Sequence, residues 1–469
     1  MTIELRILVA IANHGHGNRE YLEKLIGEYR SLPFAVDIVV LSNIPKDLGN
    51  NVEVRVGVPT RNPWSLPFAH RELFSERRDD YELFIYSEDD TLVTEQNVRA
   101  FLDAQDQLAS HEVPGFLRTE VGPDGTVYLS SIHSCFKWNP SSVCRRGEEV
   151  FAEFTNEHSA CYMLTRDHLK RAIDSGGFLV APHEGRHDML CAAATDPYTQ
   201  CGLRRLVCLS RIDDFLLPHL PNKYIGFMGL SRHLTQIQID ALMEILEDPE
   251  KGFSNFEVEP RVWRGHWARN CYESPDPRIT DTLGRPGTSV ISLGGGWGAT
   301  EAELQERGAE VCVVPLDHVF GSMNTAAGVK AISAPLSEAF EHLKNERFDG
   351  LLIQDLLHLV DDPVTVLRQW RKLLLPEALV VVSVPNILDW REMRRGILRF
   401  DRNEQLNDFA TSGVHPVNAR LLRSWLDKTD LKEVFIERAF TNRRARYNNL
   451  TLGLLQDPLA RKLIATARC

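Results

Sequence analysis

Two stretches of the chain alternate short apolar runs with amphipathic segments, and a stretch of different character separates them. The first opens with Arg6-Ile-Leu-Val-Ala-Ile-Ala12, an unbroken apolar run of the kind found in a parallel strand buried on both faces. From Arg19 to Tyr29 the residues Tyr21, Leu22, Leu25, Ile26 and Tyr29 recur at helical spacing. Val36–Leu41 and Val52–Val56 read as the next strands, and Leu83-Phe-Ile-Tyr86 as another, stopped by Ser87-Glu88-Asp89-Asp90. Strands alternating with helices predict a mostly parallel sheet with helices on both faces.

Residues 232–287 break this rhythm: Leu234–Leu246 reads as one amphipathic helix, and Pro260, Pro275, Pro277 and Pro286 follow among Arg, Trp and Asn. The alternation resumes with the strand Val290-Ile-Ser-Leu293, the loop Gly294-Gly-Gly-Trp-Gly298 and a helix from Ala299 to Arg307 ended by Gly308. Glu310–Val314, Leu351–Ile353, a helix over Val364–Leu374 and Leu379–Val384 continue it. A glycine loop between a strand and a helix presents the helix N-terminus to a ligand. The fold class expected is α/β, with one domain over residues 1–231, a connector with a helix over 232–287, and a second domain over 288–469.

Composition narrows the partners. The 469 residues suit two or three domains, and a net charge of −12 argues against nucleic acid. No apolar run approaches the roughly 20 residues that span a bilayer. Met1–Leu8, with Glu4 and Arg6, lacks the pattern of a signal peptide. Nine cysteines, none in a CxxC pair, suit reduced thiols, and a cytoplasmic location is expected. The basic run Arg443-Arg-Ala-Arg446 suits either peripheral contact with anionic head groups or a solvated surface.

Glu88-Asp89-Asp90 follows a buried strand, and ligands of open α/β sheets bind beyond the carboxyl ends of strands. Adjacent carboxylates repel one another and suit a hard divalent cation shared with a diphosphate; a solvated acidic turn is the alternative. Phe84-Ile-Tyr-Ser-Glu-Asp-Asp-Thr91 resembles the metal motif of the GT-A glycosyltransferases. The resemblance implies a nucleotide-sugar site in which Asp90 holds Mn²⁺ or Mg²⁺, with Glu88 and Asp89 beside it. His158–Thr165 resembles that family's acceptor-side strand, and Asp174-Ser-Gly-Gly-Phe178 the turn after it. Gly185-Arg-His-Asp-Met-Leu190 then falls where many members carry an acidic pair, which implies Asp188 as catalytic base and Glu184 as second choice. The alternative for Asp188 is a cap on the helix that follows. Late in the domain the resemblance implies His219 as a second metal ligand and Lys223 near the diphosphate. In His14-Gly-His-Gly-Asn-Arg19 it implies a nucleotide contact, assigned to Arg19.

Ser289–Gly298 resembles the first motif of the class I S-adenosylmethionine-dependent methyltransferases, with Gly294, Gly296 and Gly298 in its glycine places. Arg347–Pro363 and Leu373–Asn386 resemble two later segments of that family, in order. The resemblance implies a Rossmann-like domain binding S-adenosylmethionine, with Asp317 and Asp355 as further contacts. Three acids of the family pattern are missing, among them the one near the adenine amine, around Ser333–Pro335. Ser292 stands before the glycines, and Pro315 ends the second strand with Asp317 two residues late; Glu377-Ala378 also replaces a Gly-Gly pair. Each lost hydrogen bond to a charged group is worth about 1.5–3 kcal/mol.

The function expected is therefore bifunctional: a metal-dependent glycosyltransferase and a methyltransferase acting on a surface glycan or glycolipid. A non-catalytic methyltransferase-like binding domain is the first alternative. A nicotinamide oxidoreductase using the Gly294 loop is the second.

Overall fold

The computed structural model describes residues 5–129, 138–223, 230–248, 273–387, 413–440 and 456–469, with Phe409, Arg444, Ala445 and Asn448. Two compact units divide the chain: Met1–Pro182 with Met189–Gly265, and His183–Asp188 with His266–Cys469. Arg443 and Arg446 of the basic run lie outside the described residues.

In the first unit, β1 (Arg6–Asn13), β2 (Ala35–Ser42), β3 (Val52–Val56) and β4 (Leu83–Glu88) form the early strands. There follow β5 (Glu112–Pro114), β6 (Leu117–Val121), β7 (Val127–Leu129), β8 (Trp138–Arg146) and β9 (Glu149–Phe154). β10 (Cys161–Thr165), β11 (Arg204–Cys208), β12 (Leu216–Pro218) and β13 (Leu230–Ser231) are its later strands among the described residues. The main sheet has the order β10-β4-β1-β2-β3, parallel except for β10. Ile7–Ile11 and Leu83–Tyr86 are wholly buried, as unbroken apolar runs demand of central parallel strands. The chain builds β2 and β3 on one side of β1 and then crosses to the other side for β4. The ends of β1 and β4 thus flank a topological switch point, where such sheets open a crevice.

Among the described residues, two smaller sheets, β5-β11-β9-β8 and β12-β6-β7-β13, accompany the main one. The helix Arg232–Glu247 sets Ile239, Leu242 and Ile245 into a core with Leu117, Trp138 and Val207. This part of the segment read as a connector belongs to the first unit's interior. The turn Ser175–Phe178 needs its glycines: Gly176 has φ +78°, and a Cβ on Gly177 would fall 2.3 Å from the Gln200 carbonyl oxygen.

The second unit contains β14 (Ser289–Gly295), β15 (Glu310–Pro315), β16 (Lys330–Ala331), β17 (Phe348–Gln354), β18 (Leu374–Pro385), β19 (Lys432–Ala439) and β20 (Lys462–Arg468). Their order is β16-β15-β14-β17-β18-β20-β19; β20 runs antiparallel to both its neighbours, and the first five strands are parallel. The pleat divides the strand residues between two cores. Ile291, Leu293, Leu351 and Ile353 face one; Val290, Leu352 and Val381 face the other. The helix Pro277–Leu283, capped by Asp276, packs on the second core. A Cβ on Gly350 would lie 2.9 Å from the Leu283 side chain, so glycine there permits the close approach of helix and strand. The switch point of this sheet lies between β14 and β17. Among the described residues, no helix is long and apolar enough to cross a membrane.

Candidate functional site

In the first unit the register aligns Ala12 of β1 with Glu88 of β4, so Asn13 and Asp89 leave the sheet side by side. Asn13 donates its amide to Asp89. Asn18, at φ +57° before the helix Arg19–Ser31, donates to Asp89 Oδ1 at 2.8 Å and to Asp90 Oδ2 at 3.4 Å. Burial pushes the Asp89 carboxyl up to about 6, against the pull of Asn18 and Asn13, which favour its charged form. Asp90 goes the other way. Burial opposes its ionisation, but the hydrogen bond and charge of His219, aided by Arg118 and Lys223, hold its carboxyl below the ordinary value.

His219 Nε2 lies 3.3 Å from Asp90 Oδ2, and Nδ1 is 2.5 Å from Glu120 Oε1, with all three side chains buried or nearly so. The backbone fixes this meeting: Thr91 and His219 form an isolated antiparallel bridge, and Leu220 N–H donates to the Asp90 carbonyl at 2.9 Å. Asp90 Oδ1 is buried without a hydrogen-bond partner among the described residues. Glu88 approaches His158 Nε2 at 3.4 Å.

Asp90 and His219 thus meet next to Asp89, both carboxylates feel the Lys223 charge, and Glu88 turns to His158. Arg19 does not join them; it is exposed and pairs along its helix with Glu23 at 2.8 Å. Lys46, beyond β2, donates to the Gly15 carbonyl; burial lowers its pKa and the Asp89 charge opposes the shift. Asn13, Asn18 and Glu120 escaped the sequence reading, which weighed the loop's histidines and arginine and passed over its asparagines.

Among the described residues no group of three His, Cys, Asp or Glu side chains is placed to hold a metal. A divalent ion bound by one or two protein groups, with phosphate oxygens and water completing its shell, needs no third. Asp90 and His219, with the orphaned Asp90 Oδ1, fit that mode.

Glu184 and Asp188 fall in the segment His183–Asp188, which groups with the second unit. Glu184 is buried and Asp188 half-buried. Between them Arg186 bonds both oxygens of Asp317, Nη2 to Oδ1 at 3.0 Å and Nε to Oδ2 at 3.1 Å, and its guanidinium lies 4.1 Å from the centre of the Phe320 ring.

In the second unit the loop after β14 is shaped by its glycines. Gly294 has φ +72°, and a Cβ there would fall 2.8 Å from the Gln354 carbonyl oxygen and 2.9 Å from Leu356 Cβ. Gly298, at φ +95°, opens the helix Ala299–Glu306. Buried Asn324 fastens the loop by donating to the Gly296 carbonyl at 2.7 Å. An open cleft lies here, lined by Gly296–Glu301 on one side, Gln354 and Asp355 on another, and Glu273, Asp276 and Lys462.

Asp355 sits at φ +43°, a conformation that non-glycine residues adopt mainly where function or packing compels it. Ser383 donates to its Oδ1 at 3.3 Å, and Lys462 lies 3.0 Å from its Oδ2 and 2.9 Å from Glu273. Burial works to lower the Lys462 pKa, but the charges of Asp355 and Glu273 outweigh it and hold the ammonium above its ordinary value. Glu301, in the first turn of the helix, is only 1% exposed. It accepts hydrogen bonds from Ser292 Oγ at 2.7 Å and Gln354 Nε2 at 2.6 Å.

Of the expected cofactor contacts, Gly296, Gly298 and Asp355 line the cleft; Gly294 does not, and makes the turn that leads out of β14. Asp317 does not line it. Its carboxylate caps the helix His318–Ala326 through Phe320 N–H at 3.0 Å and takes Arg186, so the acid two residues beyond Pro315 is committed elsewhere.

The profile of the methyltransferase domain family matches residues 291–382, from β14 through most of β18. The match supports a class I methyltransferase domain in the C-terminal part, and the glycine loop, Glu301 and Asp355 all lie inside it. Similar solved structures include a SAM-dependent methyltransferase from Archaeoglobus fulgidus, 15% identical over 41% of this chain and 91% of that one, with TM-score 0.32. Another is an S-adenosylmethionine-dependent methyltransferase from Mesorhizobium loti, 18% identical over 41% of this chain and 96% of that one, with TM-score 0.31. The [4+2]-cyclase SpnF is 15% identical over 44% of this chain and 88% of that one, with TM-score 0.30. No protein of curated function matches the chain.

Proposed function

We propose that the second unit transfers a methyl group from S-adenosylmethionine. The observation that carries this reading is the cleft at the switch point of β14 and β17, with the glycine loop on one side and Asp355 on the other, inside the span that matches the methyltransferase domain. Its charge agrees. Glu273, Asp276, Glu301 and Asp355 line it, against Lys462 in the lining and Arg278 on Asp276 at 2.6 Å. A carboxylate-rich cleft suits a sulfonium and an ammonium group and repels the diphosphate of a nicotinamide dinucleotide. The cofactor supplies an electrophilic methyl group. The chain's part is to hold it: Gly296 and Gly298 admit it close to the backbone, and Asp355, set by Ser383 and Lys462, presents a fixed carboxylate. Calorimetry with S-adenosylmethionine, S-adenosylhomocysteine and NAD tests the reading; binding of NAD alone, or of none of the three, overturns it.

A second reading concerns the first unit, and the meeting of Asp90 with His219 beside an orphaned carboxylate oxygen favours it. In this reading the unit is a GT-A-like glycosyltransferase. Asp90 and His219 would hold Mn²⁺ or Mg²⁺, which supplies positive charge against the diphosphate of a nucleotide sugar. Glu120 fixes the His219 ring, Asn13 and Asn18 fix Asp89, and Lys223 adds positive charge. The resemblance alone assigns the base to Asp188, with Glu184 second. The two activities together would serve one glycan or glycolipid acceptor. A thermal-shift screen with UDP-, GDP- and dTDP-sugars, with and without Mn²⁺, tests it; no metal-dependent stabilisation by any of them removes it.

A further inference from the structure

We propose that Glu301 supplies the anionic contact that Ser292 cannot, and that its carboxylate receives the cationic end of the methyl donor. The inference rests on the methyl-transfer reading above and names the residue that would read the donor's charge.

Three observations carry it. First, Glu301 is among the residues that line the cleft, although it is almost wholly buried. Second, it is aimed. Ser292, in the middle of β14, and Gln354, at the end of β17, both donate to its Oε1, at 2.7 and 2.6 Å. The serine in the acid's place thereby becomes a donor that holds another residue's carboxylate at that place. Third, the loop is cut to admit it. A Cβ on Gly295 would lie 3.0 Å from Glu301 Oε1 and 2.4 Å from Val313 Cγ2. Any larger residue at 295 would press on the strand and on the carboxylate together. The run of three glycines at 294–296, in a pattern whose middle place needs no glycine for the turn, has its physical reason here. The first turn of a helix is also where a carboxylate is favoured by the backbone dipole.

A purely structural clamp between β14 and β17 would be made by the same bonds, so the test must read charge as well as folding. Glu301→Gln keeps an acceptor for Ser292 and Gln354 and removes the charge. Affinities of wild type and variant are measured by calorimetry for three probes. S-adenosylmethionine carries both sulfonium and ammonium. S-adenosylhomocysteine carries the ammonium only. 5′-Methylthioadenosine carries neither. The variant is expected to lose about 10–100-fold in affinity for S-adenosylmethionine, the worth of one hydrogen bond to a charged group, and less than threefold for methylthioadenosine. Loss for S-adenosylhomocysteine as well identifies the ammonium as the partner, and its retention identifies the sulfonium; either supports the proposal. The double variant Ser292→Asp/Glu301→Gln, which returns the carboxylate to the strand, is expected to regain at least tenfold over Glu301→Gln.

Equal loss for all three probes, or no loss for any, overturns the assignment of Glu301 while leaving the methyl-donor reading in place. Failure of the double variant to regain affinity overturns it too. Wild-type protein that binds none of the probes overturns both readings.

Discussion

Arg186 holds Asp317 through both carboxylate oxygens, at 3.0 and 3.1 Å, where each side chain is at most 2% exposed. A pair so deeply buried is weak evidence of net stabilisation, but removing one partner leaves an uncompensated charge. Arg186→Ala is expected to destabilise the second unit by about 3–5 kcal/mol, read from the urea midpoint. Asp317 lies off the cleft, so the Arg186→Leu/Asp317→Leu double variant, once folded, should bind S-adenosylmethionine within about threefold of wild type, a small step on the affinity scale. A tenfold loss would return Asp317 to the cofactor site.

Gly294→Ala is expected to damage fold and cleft together. Its φ of +72° disfavours any side chain, and the new methyl would sit 2.8 Å from a backbone oxygen that cannot swing away. The left-handed conformation alone costs about 1–2 kcal/mol. The second unit should lose at least that much stability, visible as a lower Tm, with donor binding reduced in calorimetry at temperatures where the variant is folded.

Asp89 gives the first unit a pH signature. Its carboxyl titrates near 6 in the fold against 3.8 for the free group. Raised in the folded state, it contributes stability that is complete below the free value and lost as pH rises through about 6. Asp89→Asn should remove that component, so the stability difference between wild type and variant should change between about pH 4 and 6 and be flat above pH 7. Glu112 is common to both proteins, so its contribution cancels in the difference. The Arg146 hydrogen bond holds it near 2, and its stabilising share is lost only as pH falls from 4.5 towards that value. A constant difference across pH 4–6 would refute the account of Asp89.

For the metal reading, Asp90→Asn should abolish any Mn²⁺-dependent thermal shift with a nucleotide sugar. Glu120→Gln, which touches the metal only through His219, should weaken Mn²⁺ about 10–100-fold, as loss of an outer partner does. Isothermal titration with Mn²⁺ and nucleotide separates the two effects; an unchanged Mn²⁺ affinity in Asp90→Asn removes Asp90 from the site.

Glu377 occupies one of the places where the family pattern has glycine, and it pays the conformational penalty that glycine avoids: its φ is +65° on an exposed stretch of β18. Glu377→Gly should stabilise the second unit by about 1 kcal/mol, visible as a rise in Tm; a fall would show that the carboxylate has a compensating contact.

What the sequence disclosed was local. An unbroken apolar run such as Ile7–Ile11 has only one stable home, the middle of a covered sheet, and the acids after Tyr86 had to emerge at a strand's carboxyl end. The glycine loop was readable because a strand, tight turn and helix within ten residues leave few alternatives. What was not readable depends on register between distant strands. Asn13 meets Asp89 because β1 and β4 align Ala12 with Glu88. Gln354 meets Glu301 because β17 ends beside β14. Ser292 looked like a lost acid because a one-dimensional pattern does not show that a carboxylate nine residues later turns back onto it. Asp317 looked available for the opposite reason: nothing near it in sequence announces Arg186.

The second unit is discontinuous in the chain, since His183–Asp188 is bracketed by residues of the first. During synthesis Arg186 leaves the ribosome 131 positions before the carboxylate it will hold, so this part of the second unit must wait for the rest. A fragment beginning at His266 would carry the whole seven-stranded sheet and still lack the guanidinium for Asp317. The two proposed activities are therefore better separated by point substitutions in the intact chain than by cutting it, and an inert C-terminal fragment would report the loss of a six-residue segment as readily as the absence of an enzyme.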